Sequence, residues 1–336
     1  MTETKPHIAI IGAGLAGTTL ADVLTSNDIE VSVYEKSRGT GGRLSSCKLD
    51  EMSADLGAPF ISTNNSDFST WLAESGVLET WSPISKSFDG EELQSPNLIT
   101  GSSRLSSLTR HLLAHANFHP ATRVGYIWPE LDGSQKKVRL RDEKGESLGV
   151  FDAAIVTAPA QQAATLLEAV PRFSNTAKAI TPSASWVILL ETTDSLDQPE
   201  QLITGHHPIL NRCIKESAKP GRNNVNGTAI WSIEAIPDWS QEHINLPKEE
   251  IEILLTQAFV SVKPEAKVLS VRRCHRWLYS RHPKTEHGML WDEATHIGAC
   301  GDWLLGGDLE GAWESAKKLS TKLISCLGNK LRSINS

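Results

Sequence analysis

The run Gly12-Ala13-Gly14-Leu15-Ala16-Gly17 constrains this chain more than any other stretch. It follows the apolar His7-Ile8-Ala9-Ile10-Ile11, which reads as a short buried strand, and precedes a helical pattern with Leu20, Val23 and Leu24 on one face. Ile29 to Tyr34 alternates and is rich in β-branched residues, so it reads as a second strand ending at Glu35. Strand, glycine turn, helix and strand together open a doubly wound sheet. Gly12 lets the backbone turn, Gly14 lets a pyrophosphate approach without a Cβ in the way, and Gly17 lets helix pack on strand. The backbone through Ala13, Leu15 and Ala16 then offers unpaired N–H groups and a partial positive charge to phosphates. Glu35, about 20 residues beyond the glycines, is placed to accept ribose hydroxyls and to repel a 2′-phosphate. A glycine turn in an unrelated sheet is the bland alternative; strand, helix and acid in context favour an adenine dinucleotide.

Directly after Glu35 and Lys36, the residues Arg38, Gly41, Gly42, Arg43 and Ser46 spell R-x-x-G-G-R-x-x-S. A plain dehydrogenase needs no second glycine pair here. A flavin dinucleotide does, because a longer cofactor threads along a second stretch of backbone, with arginine held near the pyrophosphate. Solvated loop charge is the other reading of Arg38 and Arg43.

Further along, Phe68, Trp71 and Leu72 suggest a short helix stopped at Gly76, and Ser102 or Ser103 a cap for a helix carrying Leu105, Leu108 and Leu112. Thr122 to Trp128 reads as a strand. Lys137–Leu140 and Leu148–Phe151 read as a hairpin, and Ala153–Ala158 as a compact strand closed by Pro159. A strand at Trp186–Leu190 and an amphipathic helix opened by Pro247 mark a middle region of different character, which also holds a polar stretch from Pro220 to Asn226. His296–Cys300 is strand-like, and a last helix with Ala312, Ala316, Leu319, Leu323 and Leu327 is expected to end at Gly328-Asn329.

The expected fold class is α/β: a Rossmann-like dinucleotide-binding domain built from discontinuous segments, with an inserted α+β domain. The expected limits are 1–70, 100–165 and 270–336 for the cofactor domain, and 71–99 and 166–269 for the substrate domain. A length of 336 residues suits about two domains. The net charge of −7 argues against a general nucleic-acid binder or a polybasic membrane-surface protein. No apolar run approaches the length of a membrane helix, the opening Met1–Pro6 is not patterned as a leader, and a cytoplasmic location is expected. Five cysteines without CxxC or Cys/His spacing suggest neither a disulfide framework nor a structural zinc, and no metal is expected.

These motifs resemble the FAD-dependent amine-oxidase-like superfamily and, within it, bacterial renalase-type oxidoreductases. The resemblance runs over nearly the whole chain: Ile8–Gly17, Glu35–Arg43, Asp55-Leu56-Gly57-Ala58, Lys219-Pro220-Gly221-Arg222, His275-Arg276-Trp277-Leu278-Tyr279, Cys300-Gly301-Asp302-Trp303 and Glu310-Gly311-Ala312-Trp313. The first two blocks occur in many flavoenzymes; those at 275–279 and 300–313 are more particular. Pro59-Phe60-Ile61 departs from the family, which often has a polar residue and a tyrosine there.

The resemblance implies non-covalent FAD in the two-domain fold of p-hydroxybenzoate hydroxylase and the amine oxidases. It places Leu56-Gly57-Ala58-Pro59 beneath the isoalloxazine, Arg123-Val124 at the adenine, and Thr157 to Pro159 near the nucleotide. It also places Gly301-Asp302 at the ribityl or pyrophosphate region, and the helix start at Glu310, Gly311 and Ala312 at the N1–C2=O edge. The implied substrate is an isomeric dihydronicotinamide dinucleotide, 2- or 6-dihydro-NAD(P), oxidised by hydride transfer to flavin N5, with O2 reoxidising the flavin to give hydrogen peroxide. This chemistry needs alignment rather than a catalytic base, so no catalytic residue is expected. The candidate pocket residues are Phe60, Trp186, Arg276, Trp277, Tyr279 and Trp303, with core packing the competing role for each aromatic and an ion pair for Arg276. The alternatives are another flavin-containing amine oxidase or desaturase, which shares every cofactor motif, and a nucleotide-fold binding protein that has lost FAD. The sequence leaves open the oligomeric state and the choice between NAD and NADP isomers.

Overall fold

The computed structural model describes residues 5–50, 52–194, 199–222 and 227–332, with side chains through 326. One compact unit gathers Met1–Gly42, Thr109–Thr181 and His282–Ser336; a second gathers Arg43–Leu108 and Pro182–Arg281.

The first unit is built on a six-stranded sheet in the order Leu290–Asp292, Ile297–Ala299, Ala153–Val156, His7–Ile11, Glu30–Tyr34 and Asn117–His119. All pairings are parallel except that of the edge strand Leu290–Asp292. Parallel strands covered on both faces read as continuous apolar runs, and Ile8 to Ile11 and Ala153 to Val156 are accordingly buried. The helix Leu15–Thr25 is the crossover between the strands His7–Ile11 and Glu30–Tyr34. The chain later adds Ala153–Val156 on the other side of His7–Ile11, so the carboxyl end of that strand is a topological switch point. A three-stranded antiparallel sheet, Val124–Asp132, Gln135–Asp142 and Ser147–Phe151, packs its inner residues Ile127, Val138, Leu140 and Phe151 into the same core. The last helix runs Leu309–Arg332, through the expected stop at Gly328-Asn329.

The second unit is built on a seven-stranded, mainly antiparallel sheet in the order Val268–Arg281, Ser183–Thr193, Thr228–Ala235, Leu210–Lys215, Leu202–Thr204, Ser85–Ser87 and Glu92–Leu93. Alternation divides its side chains between two faces. Trp186, Ile188, Trp231, Ile233 and Cys274 pack with Ile251, Leu255 and Phe259 of the helix Lys248–Val262. Leu189, Ile230 and Trp277, on the opposite face, pack with Leu49, Met52, Ala54 and Leu56 of the hairpin Ser46–Leu49/Met52–Asp55 and the loop after it.

The division into units departs from the expected limits. Residues 43–70, 100–108 and 270–281, assigned above to the cofactor domain, lie in the second unit, and 166–181 lies in the first. The hairpin at 46–55 buries its apolar side on the seven-stranded sheet. The helix Pro171–Lys178 instead packs Phe173 and Ala177 into the first unit's core, with Ser174 Oγ donating to the Ala164 carbonyl at 2.7 Å. The helix expected to carry Leu105 to Leu112 is a single short turn, Ser107–His111.

Candidate functional site

The glycine loop leaves the strand His7–Ile11 at the switch point. A Cβ on Gly17 would stand 2.1 Å from the Gly12 carbonyl oxygen, so this contact between helix and loop admits only glycine. Gly14 is the opposite case: nothing lies within 4 Å of where its Cβ would be, and the helix start it caps carries neither a side-chain cap nor an acidic residue. Open space and a first helical turn without an acidic residue suit an anionic diphosphate, while the Ala13 N–H, expected to be unpaired, is taken by Glu35. Thr157 closes the loop from the neighbouring strand, its hydroxyl donating to the carbonyls of Ile11 and Gly12 at 3.1 and 3.0 Å.

Glu35 is buried and held by two backbone amides, Oε2 accepting from Ala13 N–H at 2.9 Å and Oε1 from Ser37 N–H at 2.8 Å. Each oxygen keeps a lone pair for a further donor, as a ribose hydroxyl requires. The segment before Val124 lies beside it: Thr122 N–H donates to the Glu35 carbonyl and Ala121 N–H to that of Ser37. Arg123 precedes the strand and pairs with Glu143 in solvent. The second glycine pair rests on the first loop, with Gly41 N–H donating to the Ala13 carbonyl at 2.9 Å and the Cβ position of Gly42 only 3.3 Å from Gly14 Cα. Tertiary structure thus gathers 12–17, 35–37, 41–42, 121–123 and 157. Arg38 and Lys36 are exposed, Lys36 donating to Gln162. These residues fit the adenosine diphosphate portion of a dinucleotide.

The late motif is more occupied than expected. The Asp302 carboxylate is buried against His282 Nδ1 at 2.9 Å. At the start of the last helix, Gly311 N–H already donates to Asp308 Oδ1 at 2.8 Å, and Glu310 adds a second acid to that turn. An anion gains less from such a terminus than from the one at Gly14, whose first helical turn holds no acidic residue. Gly311 itself is a packing glycine, since its Cβ would lie 1.9 Å from the Leu305 carbonyl oxygen.

In the second unit the loop Leu56 to Pro59 is fixed at several points. Ala58 N–H donates to the Arg43 carbonyl at 2.8 Å, and a Cβ on Gly57 would stand 1.8 Å from that oxygen. Arg43 Nη1 reaches the Ser280 carbonyl at 3.3 Å. Trp277 donates its indole N–H to the Leu56 carbonyl, and Lys219 Nζ donates to that of Pro59 at 2.6 Å. Lys219 belongs to a buried quartet in which it and Arg222 both contact Asp55 and Glu216. Burial opposes ionisation of Asp55, but Lys219 and Arg222 hold its carboxyl below the usual aspartate value. Leu105 N–H and Ser46 Oγ complete its hydrogen bonds.

The aromatic candidates separate. Trp186 and Trp303 are 1% and 0% exposed and belong to the cores of their own units, their indole N–H groups donating to the carbonyls of His243 and Ala158. Arg276 lies on the helix-covered face of its sheet, its guanidinium over the Trp186 ring and donating to the Ile244 carbonyl at 2.7 Å. Trp186 and Trp303 thus pack within cores, and Arg276, which is exposed, stands on the face opposite the loop Leu56 to Pro59. Strand alternation explains the reversal at 276: it points away from the face that Trp277 shares with Leu56. Tyr279 is half-buried, and Phe60 packs beside Trp81, Leu98 and Ile214 with the Arg212 guanidinium over its ring.

Sequence reading missed the roles of Asp55, Glu216, Lys219 and Arg222, although it singled out Lys219–Arg222 as a block. It also missed a Glu234 carboxylate shared by Arg212 and Arg281; a charged residue at the alternating position of Trp231-Ser232-Ile233-Glu234 was the available signal. A shallow depression of about 590 Å³ in the first unit is lined by His7, Ser32, Tyr34, His119 and Phe151 among others. Among the described residues no helix is long and apolar enough to cross a membrane.

Residues 10–74 match the family described as NAD(P)-binding Rossmann-like domain, the stretch that contains the glycine loop, Glu35 and the second glycine pair. Particular solved structures share the fold across nearly the full chain. The CLA-producing fatty acid isomerase from P. acnes has a TM-score of 0.74 at 13% identity, with 96% of this chain and 99% of that one covered. An oxidoreductase from Methanosarcina mazei has a TM-score of 0.70 at 12% identity, with 93% and 99% covered. A putrescine oxidase redesigned in cofactor binding has a TM-score of 0.70 at 9% identity, with 96% and 100% covered.

Proposed function

We propose that the protein is an FAD-dependent oxidoreductase that oxidises isomeric dihydronicotinamide dinucleotides, 2- or 6-dihydro-NAD(P), to NAD(P)+. The observation that carries the cofactor half is the glycine loop at the switch point, open in front of Gly14 and flanked by a buried Glu35 anchored to Ala13. The fold shared with an oxidoreductase and a putrescine oxidase supports the same reading. Non-covalent FAD would supply a two-electron acceptor at N5 and a route to O2, released as hydrogen peroxide.

In this reading the helix start at Gly14 holds the diphosphate, with the helix dipole offsetting its charge. Glu35 takes the adenosine ribose and rejects a 2′-phosphate there by like charge. Leu56 to Pro59 forms a rigid, apolar rest for the ring. Its rigidity comes from the bonds to Arg43, Trp277 and Lys219. Trp277 and Tyr279 remain the wall candidates for the nicotinamide, Phe60 a neighbour of the loop. The dihydropyridine's nitrogen lone pair and its aromatisation drive hydride departure, so these residues align the donor and exclude water, and none must carry a proton.

Anaerobic mixing of flavin-loaded protein with each dihydro isomer tests the assignment: loss of flavin absorbance with an isomer, and none with amines, is expected. Bleaching by an amine alone would transfer the protein to the amine oxidases, whose fold it shares through putrescine oxidase. Purified protein that takes up no flavin would leave a nucleotide-fold binding protein.

A further inference from the structure

We propose that Arg281 and Arg212, bridged by Glu234, form an oxyanion subsite on one face of the seven-stranded sheet, and that it takes a phosphate of the pyridine dinucleotide. The phosphate assignment rests on the function proposed above; the oxyanion chemistry does not.

Register and alternation place these residues together. Glu234 follows Ile230 and Ser232 along the face that carries Leu189 and Trp277, while Trp231 and Ile233 point to the helix-covered side. Arg212 pairs with Glu234 across the neighbouring strand, and Arg281 reaches Glu234 Oε1 at 3.0 Å. Two guanidiniums therefore share one carboxylate, which leaves one net positive charge. Burial works against a charged Glu234, yet Arg212 and Arg281 hold its carboxyl below the ordinary glutamate value, so the bridge stays ionised at neutral pH.

The two arginines are unequally committed. The Arg212 side chain is 21% exposed, and its guanidinium also lies over the Phe60 ring at 5.3 Å, which fixes its plane. The Arg281 side chain is 46% exposed. A guanidinium carries five N–H donors in a fixed fork, and one bond to Glu234 leaves most of that fork directed to solvent. A fork held by a fixed carboxylate, beside a second positive charge, is the geometry that recognises phosphate or carboxylate oxygens. The same face holds one further unspent donor: Ser185, 1% exposed and paired in register with Trp277, has an Oγ without a hydrogen-bond partner among the described residues. Ser183, two residues before it, is the register partner of Arg281.

The test uses flavin-loaded protein, so that the glycine-loop site is filled, with Arg281→Gln and Arg281→Lys as variants. Inorganic pyrophosphate is titrated calorimetrically. Loss of a charge-assisted contact predicts about tenfold or greater weakening in Arg281→Gln, with Arg281→Lys between the two. In turnover, the preference for the dinucleotide over the corresponding dihydronicotinamide riboside, taken as a ratio of kcat/KM, should fall by about the same factor. Equal pyrophosphate affinity in wild type and both variants overturns the subsite and leaves a structural ion bridge. Displacement by glutarate but not by pyrophosphate overturns the phosphate assignment. Failure of every dihydro isomer to bleach the wild-type flavin would sink the function proposed above, while the pyrophosphate titration would still decide the subsite.

Discussion

Trp277 donates its indole N–H to the carbonyl oxygen of Leu56 at 2.8 Å. That bond ties the strand Val268–Arg281 to the loop proposed to support the flavin, and Leu56 and Trp277 also share a small apolar cluster. Trp277→Phe keeps the apolar contact and removes the donor. A cost of about 1–2 kcal/mol is expected, because the Leu56 carbonyl loses its partner. Denaturant unfolding would read the cost, and flavin fluorescence after gel filtration would read looser retention; an unchanged midpoint and full flavin occupancy would show that the bond positions nothing.

The contact of Gly17 with the Gly12 carbonyl leaves no room for a methyl group. Gly17→Ala should push the helix Leu15–Thr25 off its strand, weakening dinucleotide binding by at least about tenfold and lowering the melting temperature by several degrees. Gly14→Ala, where space is open, should leave apoprotein stability nearly intact and weaken only dinucleotide binding. Equal melting losses in the two variants would contradict the distinction between packing and approach.

The buried quartet predicts an asymmetric response. Lys219→Met strips a counter-charge from Asp55 and Glu216 in a site closed to water, and should cost about 3–5 kcal/mol. Asp55 has a folded pKa below its unfolded value, so its contribution is full above the ordinary aspartate range and is lost as pH falls through and below that range. Urea midpoints measured down to about pH 3 should therefore fall steeply in wild type and less so in Asp55→Asn, which starts from lower stability.

His275 has the same proton preference as Asp55, but its unprotonated form is the neutral one. Burial, with Lys248 and Arg273, lowers its pKa, and its ring meets Trp277 edge-on at 4.4 Å. The unfolded chain takes up the proton first, so the stabilising contribution is complete above the free histidine value and shrinks as pH falls below it. Melting temperature is expected to drop between about pH 7.5 and pH 5.5, and His275→Phe should flatten that fall, with His7 supplying part of what remains.

The thiols divide by depth. Cys213, Cys274 and Cys300 are buried, and burial pushes the Cys274 thiol up to about 12. A disulfide reagent should label at most Cys47 and Cys326 in the native protein, and all five cysteines after denaturation. Rapid native labelling of a third thiol would contradict the packing around these side chains.

Much of the first unit was legible because its signals are local. Glycine spacing, an apolar run and an acid at a strand end each act through a few consecutive residues, and Gly12 to Gly17 with Glu35 needed no partner from far along the chain to be read. The second unit was not legible in that way. Asp55 meets Lys219 and Arg222 from more than a hundred and sixty residues away, and no local pattern pairs them. Trp277 and Arg276 are neighbours in sequence and stand on opposite faces of one strand, so an aromatic-basic block read as a single pocket became one residue against the loop and one over a core.

Sequence alone determined that this chain carries a dinucleotide loop on a doubly wound sheet, because steric demands at a turn and charge at a helix start are written in adjacent residues. Only tertiary structure decided which charges are buried together, which tryptophans fill cores, and that Arg212, Glu234 and Arg281 form one cluster. Those outcomes depend on strand register, and a shift of one residue would send each of these side chains to the other face.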